Sequence, residues 1–178
     1  MTLERHVVDT MKEWQIKMGS LDSNIRLYYP KASICRYLNK DMDIDNELLC
    51  REIELYFAEH TEYLGKVKVS VEHDRFCVLV EKDGCSYVEK NISIPEFLSG
   101  LLEVLKAQNM DSMSAYFEEY AASHNTMLCK ETDEDDGGSI FYFADENVEP
   151  YVYCIDQNEF GIMYHRFTKE EYEELYTR

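Results

Sequence analysis

Apolar residues recur at helical spacing near the start of the chain, which predicts an amphipathic helix. Thr2 is suited to cap this helix, and Gly19 is suited to end it in a left-handed conformation. The residues of the apolar stripe are Leu3, Val7, Met11, Trp14 and Met18. We expect this stripe to pack against the core.

Two further helices are predicted before residue 62. A short extended segment, residues 24–30, ends in Pro30, which favours a helix over residues 31–38. A third helix is predicted after the acidic residues 41–45 and extends to about His60. Its apolar positions are Leu48, Leu49, Ile53, Tyr56 and Phe57. Residues 1–62 are therefore expected to be mainly helical.

The hydrophobic period changes to two at the valines of residues 67–71, as in a half-buried strand. A short turn leads into a second strand, residues 76–80. The dipeptide Asp83-Gly84 favours a tight hairpin turn, so we expect a third strand at Tyr87 and Val88. The expected three-stranded antiparallel meander spans residues 64–90.

Two helices and a second antiparallel meander are predicted after Pro95, a residue that favours a helix start. Asp111 or Ser112 can cap the second of these helices, and the helical region is expected to span residues 95–123. Four segments with strand character then lie within residues 126–166. They predict a meander of four strands.

The last predicted element is a helix at residues 168–177, where Thr168 and Glu171 have the spacing of a capping box. No internal repeat or Ser/Pro-rich linker divides the sequence, and its 178 residues are typical of one domain. We therefore expect a single α+β domain, residues 1–178, with antiparallel meanders packed against several helices. The sequence leaves open whether the two meanders form one sheet.

Acidic residues dominate the composition: 36 Asp and Glu stand against 18 Lys and Arg, a net charge of -18 at pH 7. Such a charge opposes direct binding to nucleic acids and to anionic membranes. The excess is greatest in residues 131–178, which hold fourteen acidic and three basic residues. The first residues show no cationic stretch leading into an apolar run, and no apolar run reaches membrane-spanning length, so we expect neither export nor membrane spanning.

The six cysteines contain no C-x-x-C pair and form no compact disulfide framework. A chain of this size has no need of disulfides for its core, so we expect reduced, structural thiols. This pattern is typical of a cytoplasmic protein. The cysteines are Cys35, Cys50, Cys77, Cys85, Cys129 and Cys154.

Three short aromatic segments resemble an uncharacterised family of short Firmicutes proteins, classed as a domain of unknown function. The segments are Ile-Arg-Leu-Tyr-Tyr-Pro at residues 25–30, Asp-Arg-Phe-Cys at 74–77 and Tyr-His-Arg-Phe at 164–167. The resemblance covers nearly the whole chain. It implies no activity, so it assigns no catalytic residue.

One segment has carboxylates at calcium-loop spacing, although Asn46 stands where such a loop needs glycine. The candidate metal ligands are Asp41, Asp43, Asp45 and Glu52. The simpler interpretation, which we favour, is that Asp45 caps a helix beginning at Asn46. A helix beginning near Cys50 would instead support cation binding.

A second acidic segment, residues 131–138, lies between two predicted strands. It is either a site for a divalent ion or a basic partner, or a solvated hairpin loop, which is the interpretation we favour. Numbered as a calcium loop from Asp133, it lacks ligands at Gly137 and Ala144, so we discard that version.

The strongest candidate binding residues are aromatic and basic. An arginine supported by tyrosines can bind a carboxylate or a phosphate, and a histidine can act as a general base. The set is Arg26, Tyr28, Tyr29, Tyr164, His165 and Arg166, with Tyr151 and Tyr153 nearby in the strand patterns. The alternative is a tyrosine-rich sheet with one charged edge, which needs no ligand.

No catalytic motif or zinc-ligand spacing occurs in the sequence. We therefore expect a non-enzymatic, cytoplasmic protein that binds another protein, with no cofactor. A first alternative is an acidic inhibitor or immunity-type protein that neutralises a basic nuclease or nucleic-acid-binding protein. A second is a small-molecule enzyme with an Arg/Tyr/His pocket.

Overall fold

A computed structural model describes residues 2–19, 23–133 and 137–176. The chain is α+β, as predicted, and within these residues its strands form one sheet of three and one sheet of four. The predicted strands therefore lie in two sheets rather than in one. The chain divides into two compact units, Met1–Ile94 and Pro95–Arg178, which we describe in turn.

The first unit begins with helices where the sequence predicts them. Thr2 caps the first helix, since its Oγ1 accepts a hydrogen bond from the backbone N–H of Arg5 at 3.3 Å. Pro30 precedes the second helix, as expected. The elements are α1 (Leu3–Met18), β1 (Ile25–Tyr29), α2 (Lys31–Leu38), α3 (Asn46–His60), a 3-10 helix (Glu62–Leu64), β2 (Lys68–Glu72), β3 (Arg75–Val80) and α4 (Lys82–Asn91).

The apolar stripe of α1 packs in the core at Leu3, Val7 and Met11, but its last two members, Trp14 and Met18, are 46% and 65% exposed. Lys12 and Gln15 are buried instead. Their side chains donate hydrogen bonds to carbonyl oxygens of α4, Lys12 to Glu89 at 3.0 Å and Gln15 to Cys85 at 2.9 Å. The contact with α4 therefore sets which face of α1 is covered.

The predicted meander over residues 64–90 is wrong in its third strand, because Tyr87 and Val88 belong to α4. The three-stranded antiparallel sheet has the order β1-β3-β2, so its third member, β1, comes from the region predicted to be helical. Gly84 makes no hairpin turn. A Cβ at this position would meet the carbonyl oxygen of Leu64 and the side chain of Val80, so glycine permits close packing of α4.

The hairpin between β2 and β3 is confirmed. His73 and Asp74 both have positive φ angles, 50° and 63°, as a two-residue type I′ turn requires. Glu72 pairs with Arg75 next to this turn. One face of the sheet joins the helices in an apolar core that includes Ile25, Leu27, Val78, Leu49, Ile53 and Phe57.

The second unit contains the predicted four-stranded meander, in the order β4-β5-β6-β7. Asn109 caps α6 by accepting a hydrogen bond from the backbone N–H of Ser112 at 2.8 Å, so the predicted caps, Asp111 and Ser112, are wrong. The elements are α5 (Glu96–Leu105), α6 (Met110–Ser123), β4 (Leu128–Thr132), β5 (Ser139–Phe143), β6 (Val152–Asn158), β7 (Gly161–Phe167) and α7 (Lys169–Tyr176).

Aromatic rings form the centre of the second unit. The ring of Phe97 lies between 4.8 and 5.3 Å, centroid to centroid, from five other rings. They belong to α6, β5 and β6 and are Tyr116, Phe117, Tyr120, Phe143 and Tyr153. Offset and edge-on ring contacts of this kind join α5 to α6 and to one face of the sheet.

The closing helix α7 has the predicted capping box. The backbone N–H of Thr168 donates to Glu171 Oε2 at 2.9 Å, and the backbone N–H of Glu171 donates to Thr168 Oγ1 at 3.2 Å. Tyr172 packs against apolar residues on the outer face of the sheet, whereas Leu175 is 49% exposed. The helix thus covers part of this outer face and leaves a cavity beside it.

Candidate functional site

The three candidate residues of the first unit lie on β1, but they do not share a face. The hydroxyl of Tyr28 donates to Glu72 Oε2 at 3.0 Å, and Arg26 Nη1 lies 3.3 Å from Glu72 Oε1. Tyr29 points to the opposite face and is 2% exposed, with its ring 5.0 Å from that of His6. Only Arg26 and Tyr28 therefore reach a common partner.

Glu72 is the centre of this polar network. The hydroxyl of Ser70 is a third donor to its carboxylate, at 3.2 Å. The hydrogen bond from Tyr28 is the main cause that lowers the pKa of Glu72 and raises that of Tyr28. The network joins β1 to β2 across β3 and covers Cys77, whose thiol pKa is raised by burial. The network therefore stabilises the three-stranded sheet.

Replacing Tyr28 by phenylalanine is expected to raise the pKa of Glu72 towards its ordinary value, because the main group stabilising its charge is lost. A lowered pKa contributes stability above the unfolded-state value, and that contribution is lost as the pH falls through the folded-state value. The variant should therefore lose stability near neutral pH and little at low pH.

The measurement is an NMR pH titration of the Glu72 side chain, together with unfolding at several pH values. Tyr87→Phe, which removes a half-exposed tyrosine hydroxyl elsewhere in the unit, is the matched control. An unchanged titration midpoint in Tyr28→Phe would contradict the role given to this hydrogen bond.

The other three candidates lie on β7 in the second unit, where Tyr164 and Arg166 face one way and His165 the other. Tyr164 is buried, and its ring lies 6.2 Å from that of Tyr153. The guanidinium of Arg166 lies 4.0 Å above the ring centroid of Tyr151. His165 Nε2 lies 4.0 Å from Asp156 Oδ2. The six candidates are thus divided between two units, each with its own neighbours.

The geometry around Asp45 corresponds to the capping interpretation. Helix α3 begins at Asn46, and Asp45 Oδ1 accepts hydrogen bonds from the backbone N–H groups of Glu47 and Leu48 at 2.9 and 3.1 Å. Glu52 pairs with Lys40 at 2.8 Å. In the acidic segment 131–138, residues 134–136 lie outside the described residues. Among the residues that the structure describes, no group of three or more His, Cys, Asp or Glu is placed to hold a metal ion.

The sequence did not single out a cavity of about 320 Å³ between the outer face of the second sheet and α7. We call it the tyrosine cavity; its lining residues are Glu131, Tyr142, Val152, Lys169, Tyr172 and Glu173. The hydroxyl of Tyr142 donates to Glu131 Oε1 at 2.7 Å. Lys169 is paired with Glu146, also at 2.7 Å, which offsets the positive charge in the lining.

Aromatic rings continue from the tyrosine cavity along α7. The rings of Tyr172 and Tyr176 stack at 4.9 Å, and that of Phe167 lies 6.0 Å from Tyr176. The hydrogen bond to Glu131 raises the pKa of Tyr142, and burial raises that of Tyr172. Both phenols therefore stay neutral, and the site combines carboxylates with uncharged aromatic rings.

Strand register explains how this site is assembled. Tyr142 pairs with Val152, and Glu131 with Ile140, so strand alternation places Glu131, Tyr142 and Val152 on one face. The alternation of residues in the sequence predicts which side chains share a face within one strand, but it does not predict how the strands are paired. The position of Tyr172 over that face depends on the packing of α7, for which the sequence contains no local signal.

Comparison with known proteins identifies a family. A family model matches residues 1–176, and its description is "Domain of unknown function, E. rectale Gene description (DUF3877)". No curated protein and no solved structure matches the chain. Of the helices within the described ranges, none has the length and apolar character needed to cross a membrane. Because the match spans nearly every residue, the chain belongs to the DUF3877 family, as the resemblance of its aromatic segments implied.

Proposed function

We propose that this protein binds a basic protein partner through the tyrosine cavity and the carboxylates around it. The observation that carries the proposal is the cavity itself, where Glu131 and Glu173 stand beside the rings of Tyr142 and Tyr172. A Lys or Arg side chain of the partner would enter it. In this proposal the protein binds its partner in the cytoplasm, and binding requires no cofactor.

The charge of this part of the chain supports the proposal. Residues 131–178 hold fourteen acidic and three basic residues. Lys169, the basic residue in the lining, is paired with Glu146. The field around the cavity is therefore negative, which attracts a basic partner and raises its association rate.

The apolar lining supports the same ligand chemistry. A cation held within about 6 Å of a tyrosine ring gains about 0.5–2 kcal/mol, depending on how far it is desolvated. The aliphatic part of a Lys or Arg side chain can pack against Val152, because such side chains bury their carbon atoms and keep the charge near polar groups. The cavity thus offers an apolar wall, aromatic rings and a counter-charge.

The alternatives receive unequal support. An inhibitor or immunity-type protein is one form of this proposal, in which the carboxylates occupy the phosphate-binding surface of a nuclease or nucleic-acid-binding protein. A small-molecule enzyme using Arg26 and His165 has less support, because Arg26 pairs with Glu72 and His165 lies 4.0 Å from Asp156, so each residue has a separate local partner.

The test measures the affinity of a fluorescent Lys-rich peptide by anisotropy, with a Glu-rich peptide as the negative probe. We expect binding that weakens as salt rises from about 50 to about 300 mM, because exposed charges are increasingly screened. Removing both cavity carboxylates, with Glu131→Gln and Glu173→Gln, should weaken binding about tenfold, equivalent to about 1.4 kcal/mol.

The matched control changes the same number of charges in the same unit. Glu118 and Glu119 are exposed on α6 and do not line the cavity. If Glu118→Gln with Glu119→Gln weakens binding as much as the cavity pair, the tyrosine cavity is not the binding site. No binding of the Lys-rich peptide at low salt would contradict the proposed function.

A further inference from the structure

A second candidate site lies in the first unit, at the free edge of β2. The backbone N–H of Val69 points away from β3 and donates to Glu54 Oε1 of α3 at 2.9 Å. In an antiparallel pair, alternate residues direct their N–H and C=O groups to the partner strand and to the outside. The backbone groups of Val71 therefore also point outward, and no strand covers them within the described residues.

A groove between α3 and β2 adjoins this edge. It comprises two cavities of about 480 and 410 Å³, which share Arg51 and Glu54 in their linings. The first is lined by Asn46, Glu47, Cys50, Arg51, Glu54, Val69, Ser70 and Val71. The second is lined by Arg51, Glu54, Leu55, Ala58, Gly65, Lys66 and Val67. The strand edge and the helix thus form the two walls of one groove.

Exposed apolar side chains lie along both walls. Leu55 on α3 is 57% exposed, and Val71 on β2 is 42% exposed. An added strand would place alternate side chains towards α3, where they can cover such residues. The groove therefore presents outward-pointing backbone groups together with apolar contacts, the combination used in strand addition.

The end of the groove around Gly65 is basic, unlike most of this acidic molecule. Arg51 and Lys66 line it, and neither lies within ion-pair distance of an acid among the residues that the structure describes, although the charge of Lys66 helps to lower the pKa of Glu81. Glu54, the acid in the same lining, accepts the N–H of Val69. In a chain of net charge -18, two such cations beside a groove favour a ligand that carries carboxylates.

We propose that this groove binds an extended acidic segment of a partner polypeptide, which adds to β2 as a further strand. The ligand's carbonyl oxygens accept hydrogen bonds from Val69 and Val71, and Glu54 is released from Val69. Its apolar side chains cover Leu55, and its carboxylates lie beside Arg51 and Lys66. This site is independent of the tyrosine cavity and takes a ligand of the opposite charge.

The probe is obtained by panning a library of random peptides on phage, each about twelve residues long, against the whole chain. The enriched peptide is then synthesised with a fluorophore for anisotropy. We expect enrichment in acidic and β-branched residues. Methylation of every second backbone nitrogen of this peptide should abolish binding when the methylated nitrogens are those that face β2. The methyl groups remove the hydrogen-bond donors of the added strand and obstruct its pairing.

Val71→Pro tests the strand edge directly. Proline is tolerated on an edge strand where the N–H points outward, so the ladder with β3 should be kept. We expect the affinity for the enriched peptide to fall about tenfold, as for the loss of about one well-formed hydrogen bond. Arg51→Glu combined with Lys66→Glu should lower the affinity for this peptide at least as much, and it leaves the residues of β2 unchanged.

The matched control is Lys90→Glu combined with Lys106→Glu, which gives the same change in charge outside the groove. It should leave the affinity within about twofold of the original, since distant exposed charges are screened. Enrichment of basic peptides, or equal binding to the Arg51/Lys66 and Lys90/Lys106 variants, would overturn the proposal. A dimer in solution that Val71→Pro dissociates would also overturn it, because the edge would then bind a second copy of the chain.

Discussion

Replacing Phe97 by alanine is expected to lower the free energy of unfolding by about 3–5 kcal/mol, the range for removing a large aromatic side chain from a core. Phe97 is 1% exposed, and its ring contacts five other rings. Its removal leaves a cavity where α5, α6 and the sheet meet. No other ring can fill that space without abandoning its own contacts.

Urea unfolding followed by far-UV circular dichroism measures this effect. Phe160→Ala is the matched control, because Phe160 is 85% exposed at the hairpin between β6 and β7. Its replacement should change the free energy of unfolding by less than about 0.5 kcal/mol. Comparable losses in the two variants would contradict the position given to Phe97 at the centre of the core.

Replacing Gly84 by alanine should destabilise the protein, although the same change inside an exposed helix stabilises it by about 1 kcal/mol. A Cβ on Gly84 would meet the carbonyl oxygen of Leu64 and the side chain of Val80, both fully buried residues. Relieving such overlap moves the backbone and typically costs about 1–3 kcal/mol. The sign of the effect is thus opposite to that expected from helix propensity.

Thermal and urea unfolding of Gly84→Ala measure this sign, with Lys90→Ala on the exposed face of α4 as the control. The control should stay within about 0.5 kcal/mol of the original protein. A more stable Gly84→Ala variant would mean that α4 does not pack closely on the 3-10 helix.

Signals that act within a few residues predicted most of the helices, although they missed α4 and gave the wrong cap for α6. Thr2, Asp45 and Thr168 cap the helices that follow them, and Pro30 and Pro95 precede helix starts. A capping side chain bonds to backbone groups two or three residues away, so its effect is present in the local sequence. The positive φ angles at the β2–β3 turn are local in the same sense.

Contacts between distant parts of the chain account for the errors in the predicted first meander. Asp83-Gly84 has the composition of a hairpin turn, but its glycine is needed because α4 approaches the backbone of Leu64. Similarly, β1 pairs with β3 across about fifty positions of sequence, so β2 and β3 acquire their third strand from a segment predicted only as a short extended stretch before the second helix. Neither contact leaves a pattern in the neighbouring residues.

The site shows the same division between local and distant information. The sequence identified Arg26, Tyr28 and His165 as polar side chains on strands, and the structure gives each of them a partner nearby. The tyrosine cavity requires strand register and the packing of Tyr172 over Tyr142, which are properties of the folded unit. Its acidic character was nevertheless visible in the charge of the last third of the chain.

The most direct test of the proposed function is a two-dimensional NMR titration of the isotopically labelled chain with the Lys-rich peptide. The account predicts saturable shift changes that are largest at Glu131, Tyr142 and Tyr172, and that disappear at high salt because the attraction is screened. Changes centred on the strands of the first unit, or scattered changes that never saturate, would contradict binding of a basic partner at the tyrosine cavity.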